Sequence, residues 1–298
     1  MARSEILCVG EVLWDALPAG LFLGGVPFNV ACHLRAAGLP ATLVSRVGAD
    51  LLGEEVRRRV ARYGVGTDLL QVHPALPTGF VRVELDEAGL ATYEIVDPAA
   101  WDAVEVTDAL LERASAARMI VFGSLAQRHA VTRASVERLW DVGVPLAFDV
   151  SLRPPYGDRE VVRRSLQRAA VVKLTEAELA QLAAWFRLKG AGVRERVEAL
   201  AAAFGCGTIC VTRGRHGAGV LRAGRWTEHP GYEVEVRDSV GAGDAFFAIL
   251  LAGILKGVDD RALLRDASLM GAYVATQSGA VPPDQPEAPV APAPDADR

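Results

Sequence analysis

Asp238 to Ala248 reads D-S-V-G-A-G-D-A-F-F-A, with Gly241, Ala242 and Gly243 set directly before the carboxylate of Asp244. Glycines at the start of a helix allow a tight turn and leave its first N–H groups unshielded. Those groups and the positive end of the helix dipole form an anion site. Electrostatics alone explains a carboxylate beside a bound anion poorly. It makes sense if Asp244 takes a proton from a hydroxyl that attacks a phosphoryl group. An isolated G-A-G-D is more simply an N-capping Asp after a Gly-rich turn, so the reading depends on the rest of the chain.

A second run, Gly24-Gly25-Val26-Pro27-Phe28-Asn29-Val30-Ala31, feeds a tight turn into a helix near Phe28. Asn29 falls in the first helical turn, where its amide either faces a polyol or helps to cap its own helix. Gly38 follows seven residues after Ala31 and Gly48 ten after that, Gly48 closing the strand end Ser45-Arg46-Val47.

The elements that must position these residues alternate. Ile6–Val9, Thr42–Val47, Met119–Phe122, Leu146–Val150, Val171–Leu174 and Thr208–Thr212 are short apolar runs that predict buried parallel strands. Between them 28–37, 52–62, 107–114, 133–140, 160–168, 176–186 and 194–204 have helical spacing. Such alternation implies right-handed βαβ units and a covered sheet, with the ligand crevice at the strands' carboxyl ends. Asp149, Lys173 and Thr212-Arg213-Gly214 fall at those ends. Two segments, 12–26 and 78–96, alternate like half-exposed antiparallel strands, the second with Asp86-Glu87-Ala88-Gly89 as a hairpin turn. They predict a small β lid that excludes water from the crevice, the alternative being plain surface strands. One domain is expected over 1–281, and the Pro-, Ala- and Asp-rich 282–298 is expected to be a disordered tail.

The chain has 298 residues, a net charge of −5 and 51% apolar residues, enough for a sizeable core. Arginines are dispersed, which gives a nucleic-acid partner no support. No membrane span or signal peptide is visible, and a cytoplasmic protein is expected. Cys8, Cys32, Cys206 and Cys210 read as buried free thiols, and the five histidines show no metal-ligand spacing. Gly10-Glu11-Val12-Leu13-Trp14-Asp15 lacks the G-x-G-x-x-G of a dinucleotide fold, and no G-x-x-x-x-G-K-[ST] loop occurs.

The Gly24–Gly48 spacing and the Asp238–Ala248 run together resemble the two signatures of the ribokinase-like (PfkB-type) carbohydrate kinases. The resemblance runs from about Glu5 to Val281; the second signature departs only at Ile249, where the family favours Gly or Ala. It implies an α/β fold, a three-layer αβα sandwich with a mostly parallel central sheet and a small β-strand lid. It implies transfer of the γ-phosphoryl of ATP to a sugar hydroxyl with Mg²⁺. By that likeness Asp244 is the catalytic base, and the N–H groups of Gly241, Ala242 and Gly243 receive the phosphoryl. Arg153, in Asp149-Val150-Ser151-Leu152-Arg153-Pro154, stands near the phosphates, where a guanidinium binds bidentately. Asp15, Gly25 and Asn29 match the sugar-binding positions. Lys173, Thr212, Gly214 and Gln277 fall on the nucleotide side. Glu178 matches the acid that orders Mg²⁺ through water, but Thr175 and Ser151 stand where the family has Asn. Asp238, Val240 and Gly279 match a region that often holds K⁺. Gly-Gly-x-Pro-Phe-Asn, Gly123-Ser124-Leu125-Ala126-Gln127-Arg128 and Asp-x-x-Leu-Arg-Pro-Pro are most similar to the fructokinase-like branch. D-fructose is the expected acceptor, ahead of ribose or 2-keto-3-deoxygluconate; a catalytically weak sugar sensor is the alternative of another class. Exposed lid edges would permit a homodimer.

Overall fold

The computed structural model describes residues 5–17, 20–85 and 91–282. A nine-stranded sheet carries the fold, in the order β13-β12-β11-β10-β9-β8-β1-β4-β5. From β5 (Leu70–His73) through β4 (Ala41–Gly48), β1 (Ile6–Val9), β8 (Met119–Gly123), β9 (Leu146–Asp149) and β10 (Val171–Thr175) to β11 (Thr208–Thr212), every pairing is parallel. β12 (Ala218–Arg222) and β13 (Arg225–His229) close one edge antiparallel. Each expected parallel strand is present to within about a residue at each end; β5, β12 and β13 were not foreseen. β5 and β13 are short, polar edge strands, as in Arg-Trp-Thr-Glu-His for β13, and β12 is a five-residue strand containing a glycine, so none carries a clear period.

Alternate side chains of β1 show why the sheet is covered on both faces. Ile6 and Cys8 enter a core shared with α1 (Val26–Ala36), α2 (Leu51–Arg62), α8 (Ala242–Lys256) and α9 (Asp260–Ala275). Leu7 and Val9 enter the opposite core with α3 (Asp108–Ala116), α4 (Ala130–Leu139), α5 (Arg159–Leu166), α6 (Glu176–Phe186) and α7 (Val193–Phe204). That is the expected three-layer sandwich, its period-2 strands facing two helix layers. α8 is apolar nearly all round and fills the first core, bounded by Gly241 and Gly257, both left-handed. α9 went unpredicted. All four cysteines are buried and free.

The second sheet has the order β3-β2-β6-β7, with β2 (Leu13–Leu17) pairing β3 (Gly20–Gly24) and β6 (Gly79–Leu85) pairing β7 (Ala91–Ile95), both antiparallel. It is the expected lid with two corrections. β2 and β6 join the hairpins through parallel pairing. The first lid segment stops at Gly24, because Val26 already opens α1 with Pro27 in its first turn, where a missing N–H costs nothing. The expected turn at Asp86–Gly89 and the tail beyond Pro282 lie outside the described residues. No helix among the described residues is long and apolar enough to cross a membrane.

Candidate active site

The strand order reverses at β1, which lies between β8 and β4, and such a switch opens a crevice at the carboxyl ends. A cavity of about 410 Å³ lies there. Glu11 beyond β1, Leu125 beyond β8, Ser151 beyond β9 and Thr175 at the end of β10 form one wall. Lid residues Leu13, Asp15, Val81 and Ile95 form the facing wall, and the first turn of α8 supplies Gly241, Gly243 and Asp244.

Gly241 caps α8 at φ 77°, and a Cβ there would stand 2.3 Å from the Ala280 Cβ, so the turn tolerates only glycine. The N–H of Ala242 reaches Ser239 at 3.4 Å, whereas those of Gly241 and Gly243 have no protein acceptor among the described residues. Free N–H groups at a helix start are an anion cradle. Asp244 lies in that first turn, buried, and its Oδ2 accepts a 2.7 Å hydrogen bond from Asn29 Nδ2. The Oδ1 of Asn29 is buried without a partner, an acceptor that a ligand hydroxyl would satisfy.

Asp15 presses against the lid turn: a Cβ on Gly24 would lie 2.3 Å from its Oδ2. Gly25, at φ 111°, packs on the main chain, where a Cβ would meet the Glu11 carbonyl oxygen at 2.5 Å. Burial pushes the Asp15 carboxyl up to about 6, against the pull of Arg153 and with the push of Asp238 and Asp244.

Lys173 is buried and donates to both oxygens of Asp149, at 3.2 and 3.0 Å. Burial works against its charge, but Asp149, Asp244 and Glu178 hold the ammonium above its ordinary value, so it stays cationic. Burial raises Asp149 in turn. The Lys173 Nζ sits so close to Gly243 that a Cβ there would meet it at 3.1 Å. Glu178 accepts the N–H of Leu152 and that of Thr175, both at 2.7 Å, and Thr175 caps α6 in return. The capping box ties the start of α6 to the loop carrying Ser151 and Arg153. Ser151 has φ 35°, a left-handed conformation that Asn adopts more readily than Ser. Arg153 is exposed at the mouth.

The structure therefore gathers Asp15, Gly25, Asn29, Arg153, Lys173, Glu178, Val240, Gly241, Gly243 and Asp244 around one cavity. Ala242 stays within the helix turn between two lining residues. Asp238 lies just behind, accepting from the N–H of Val240 at 3.0 Å and of Gly279 at 3.1 Å, which joins those three positions. Thr212 pairs in register with Thr175 at the carboxyl ends of β11 and β10. Thr212, Gly214 and Gln277 do not line the cavity. Trp14 is buried under the lid, donating to the Leu52 carbonyl and facing α2 rather than the crevice.

Sequence reasoning missed Glu11. It is 1% exposed, its Oε1 accepts from the Val26 N–H at 3.2 Å, and its Oε2 is buried without a partner. Burial pushes its carboxyl up to about 7. A carboxylate two residues past the end of β1, at the switch point, was the available signal. Asp97, Asp102 and His129 also cluster closely enough to hold a metal among the described residues, though no histidine spacing announced it. The Arg128 guanidinium already spans both Asp102 oxygens, at 2.8 and 2.7 Å, so a cation is in place there.

Free N–H groups at a helix start, a buried carboxylate and an unpartnered amide oxygen thus lie together in one cavity under a β lid, an arrangement suited to phosphoryl transfer onto a small hydroxylated molecule. The chain belongs to the pfkB family carbohydrate kinases, whose profile matches residues 14–288. It is 30% identical over 300 residues to a fructokinase of Klebsiella pneumoniae, covering 94% of this chain and 95% of that protein. Its fold superposes with a TM-score of 0.78 on an uncharacterised sugar kinase of Pyrococcus horikoshii in complex with ATP, at 27% identity over 93% of this chain and 94% of that one. A fructokinase double mutant of Vibrio cholerae O395, in a form binding fructose, ADP and potassium ion, gives a TM-score of 0.78 at 26% identity, over 94% of both chains.

Proposed function

We propose that the protein transfers the γ-phosphoryl of ATP to a hydroxyl of an uncharged monosaccharide, with D-fructose as the acceptor. The observation that carries this reading is Asp244, hydrogen-bonded to Asn29 and adjoining the free N–H groups of Gly241 and Gly243 in one cavity. Asp15, Asn29 and the Gly25 turn orient the sugar. Asp244 takes the proton of the attacking hydroxyl, a role that contributes roughly 10²–10⁴ in rate. The N–H groups of Gly241, Ala242 and Gly243 hold the phosphoryl as its charge shifts. Arg153 at the mouth and the Lys173 ammonium add positive charge on the same side. The lid's Leu13, Val81 and Ile95 exclude water.

Thr175 and Glu178 offer hydroxyl and carboxylate oxygens, the donor set a hard cation takes. Both Glu178 oxygens already accept N–H groups, so contact through water fits better than direct ligation. Mg²⁺ held there would neutralise charge on the phosphates. Asp238, Val240 and Gly279 are the candidate K⁺ positions, and Thr212, Gly214 and Gln277 the candidate nucleotide positions.

Glu11, Asp15 and Asp244 make the sugar end acidic, while Lys173 is committed to Asp149. That disfavours a sugar acid such as 2-keto-3-deoxygluconate. The choice of fructose over ribose is supported by the names of the relatives. The lid's outer strand β3, with Leu21 40% exposed, supports edge-to-edge pairing of two copies. Steady-state ADP production across a sugar panel, with and without K⁺, tests the reading. Fructose should give the highest kcat/KM, and Asp244→Asn should abolish turnover while sugar still raises the melting temperature. Sugar binding without any turnover would instead establish a sensor.

A further inference from the structure

A second cavity, of about 560 Å³, lies behind the lid, between α2, β3 and the segment 278–281. Arg58, Arg59 and Arg62 line one side; Phe22 and Val281 line the other. Glu55 is the one acid in the lining, and it pairs with Arg58 at 2.7 Å and with Arg59 at 2.8 Å. Arg62 has no anionic partner among the described residues. Two of the three guanidinium charges are thus unbalanced by the lining itself. Opposite them the phenyl ring of Phe22 and the Val281 side chain present apolar surface, and Ser278 adds a hydroxyl.

We propose that this cavity is a second ligand site, which takes a small phosphate monoester. The dianionic head group, carrying about −1.5 to −2 charges at neutral pH, matches the excess of guanidinium. Arginine's planar fork suits phosphate oxygens better than a point charge does. The carbon body of the ligand rests on Phe22 and Val281, which distinguishes the site from one for a bare inorganic ion.

Its walls are tied to the catalytic cavity. The Arg59 guanidinium lies 4.8 Å from the centre of the Trp14 ring, and Trp14 adjoins Asp15 in β2. Phe22 is the register partner of Asp15. Phe22 also packs on Gly279, where a Cβ would fall 2.5 Å from its ring, and Gly279 donates to Asp238. A ligand bridging α2 to β3 fastens the lid in the position that places Asp15, and so tightens sugar binding. By linkage, the sugar tightens binding of the phosphate ester by the same factor.

The test is calorimetric titration of the full chain with glycerol 3-phosphate, and separately with inorganic phosphate, against chloride at equal ionic strength. It reads the site whether or not the chain phosphorylates a sugar. Loss of one charged contact should weaken binding about tenfold or more in Arg62→Ala and in Arg58→Ala. Neither variant should alter turnover measured without the ester, and glycerol 3-phosphate should lower the sugar KM in wild type but not in Arg62→Ala. Tighter binding of glycerol 3-phosphate than of phosphate is expected from the apolar wall. Equal affinity in wild type and both variants would assign the anion to the catalytic turn and overturn the site. Heats indistinguishable from chloride would overturn it too, and an unchanged KM at saturating ester would overturn its link to the lid.

Discussion

Asp15 and Glu11 bring opposite pH signatures to one cavity, one in binding and one in stability. In the proposed function Asp15 accepts sugar hydroxyls as a carboxylate, and burial places its titration at about 6. The sugar KM should therefore rise as pH falls through that value while the ATP KM holds, a split that initial-rate measurements at pH 5 to 8 will show. For Glu11 the folded value of about 7 exceeds the ordinary 4.5. Between those values the folded state binds more protons than the unfolded chain, so its contribution is present at low pH and is lost as pH rises through 7. Glu11→Gln removes the titration. Its melting temperature should match wild type near pH 5 and exceed it at pH 8, by an amount equivalent to a few kcal/mol. Equal pH profiles would mean that Glu11 is solvated.

The start of α6 is where an element and a proposed chemical role compete for the same side chains. Thr175 and Glu178 close a capping box, and Glu178 also holds the Leu152 N–H. Thr175→Asn, which installs an amide oxygen in place of the hydroxyl, should keep the cap, since Asn caps at least as well as Thr. Stability should stay within about 0.5 kcal/mol of wild type, while the Mg²⁺ concentration for half-maximal rate falls. Thr175→Ala should cost about 1 kcal/mol in denaturant unfolding, because the N–H of Glu178 then lacks its acceptor.

Across the whole molecule, a buried cation anchors the β7 end of the lid to the body. Arg128 lies between the rings of Trp101 and Tyr156, at 4.0 and 4.7 Å, pairs with the buried Asp102 and donates to the Val96 carbonyl just beyond β7. Removing one partner of a buried pair strands the other charge. Arg128→Ala should lower unfolding free energy by about 3–5 kcal/mol and raise the sugar KM, because Ile95 of the cavity wall belongs to the strand this arginine anchors. An unfolding midpoint equal to wild type would show that the pair contributes little.

The sequence by itself determined the alternating strands and helices, the lid segments and the G-A-G-D turn, because each rests on local periodicity or on backbone freedom within a few residues. Central strands such as 119–123 were legible since burial on both faces makes them uniformly apolar. The antiparallel strands β12 and β13 at one end of the sheet, and the parallel joint between β2 and β6, were not. Pairing partners distant in the chain are chosen by packing, and a strand of five residues is too short to carry a clear period of its own. The site divides in the same way. Asp244 and Asn29 could be named from their motifs, but the hydrogen bond between them, 215 positions apart, exists only once α1 and α8 pack together. Glu11 stood in plain view, yet its burial, its unpartnered oxygen and its raised titration arise from the closure of the Gly25 turn and the lid over it. Local chain geometry is encoded residue by residue, whereas desolvation is a property of the assembled surroundings.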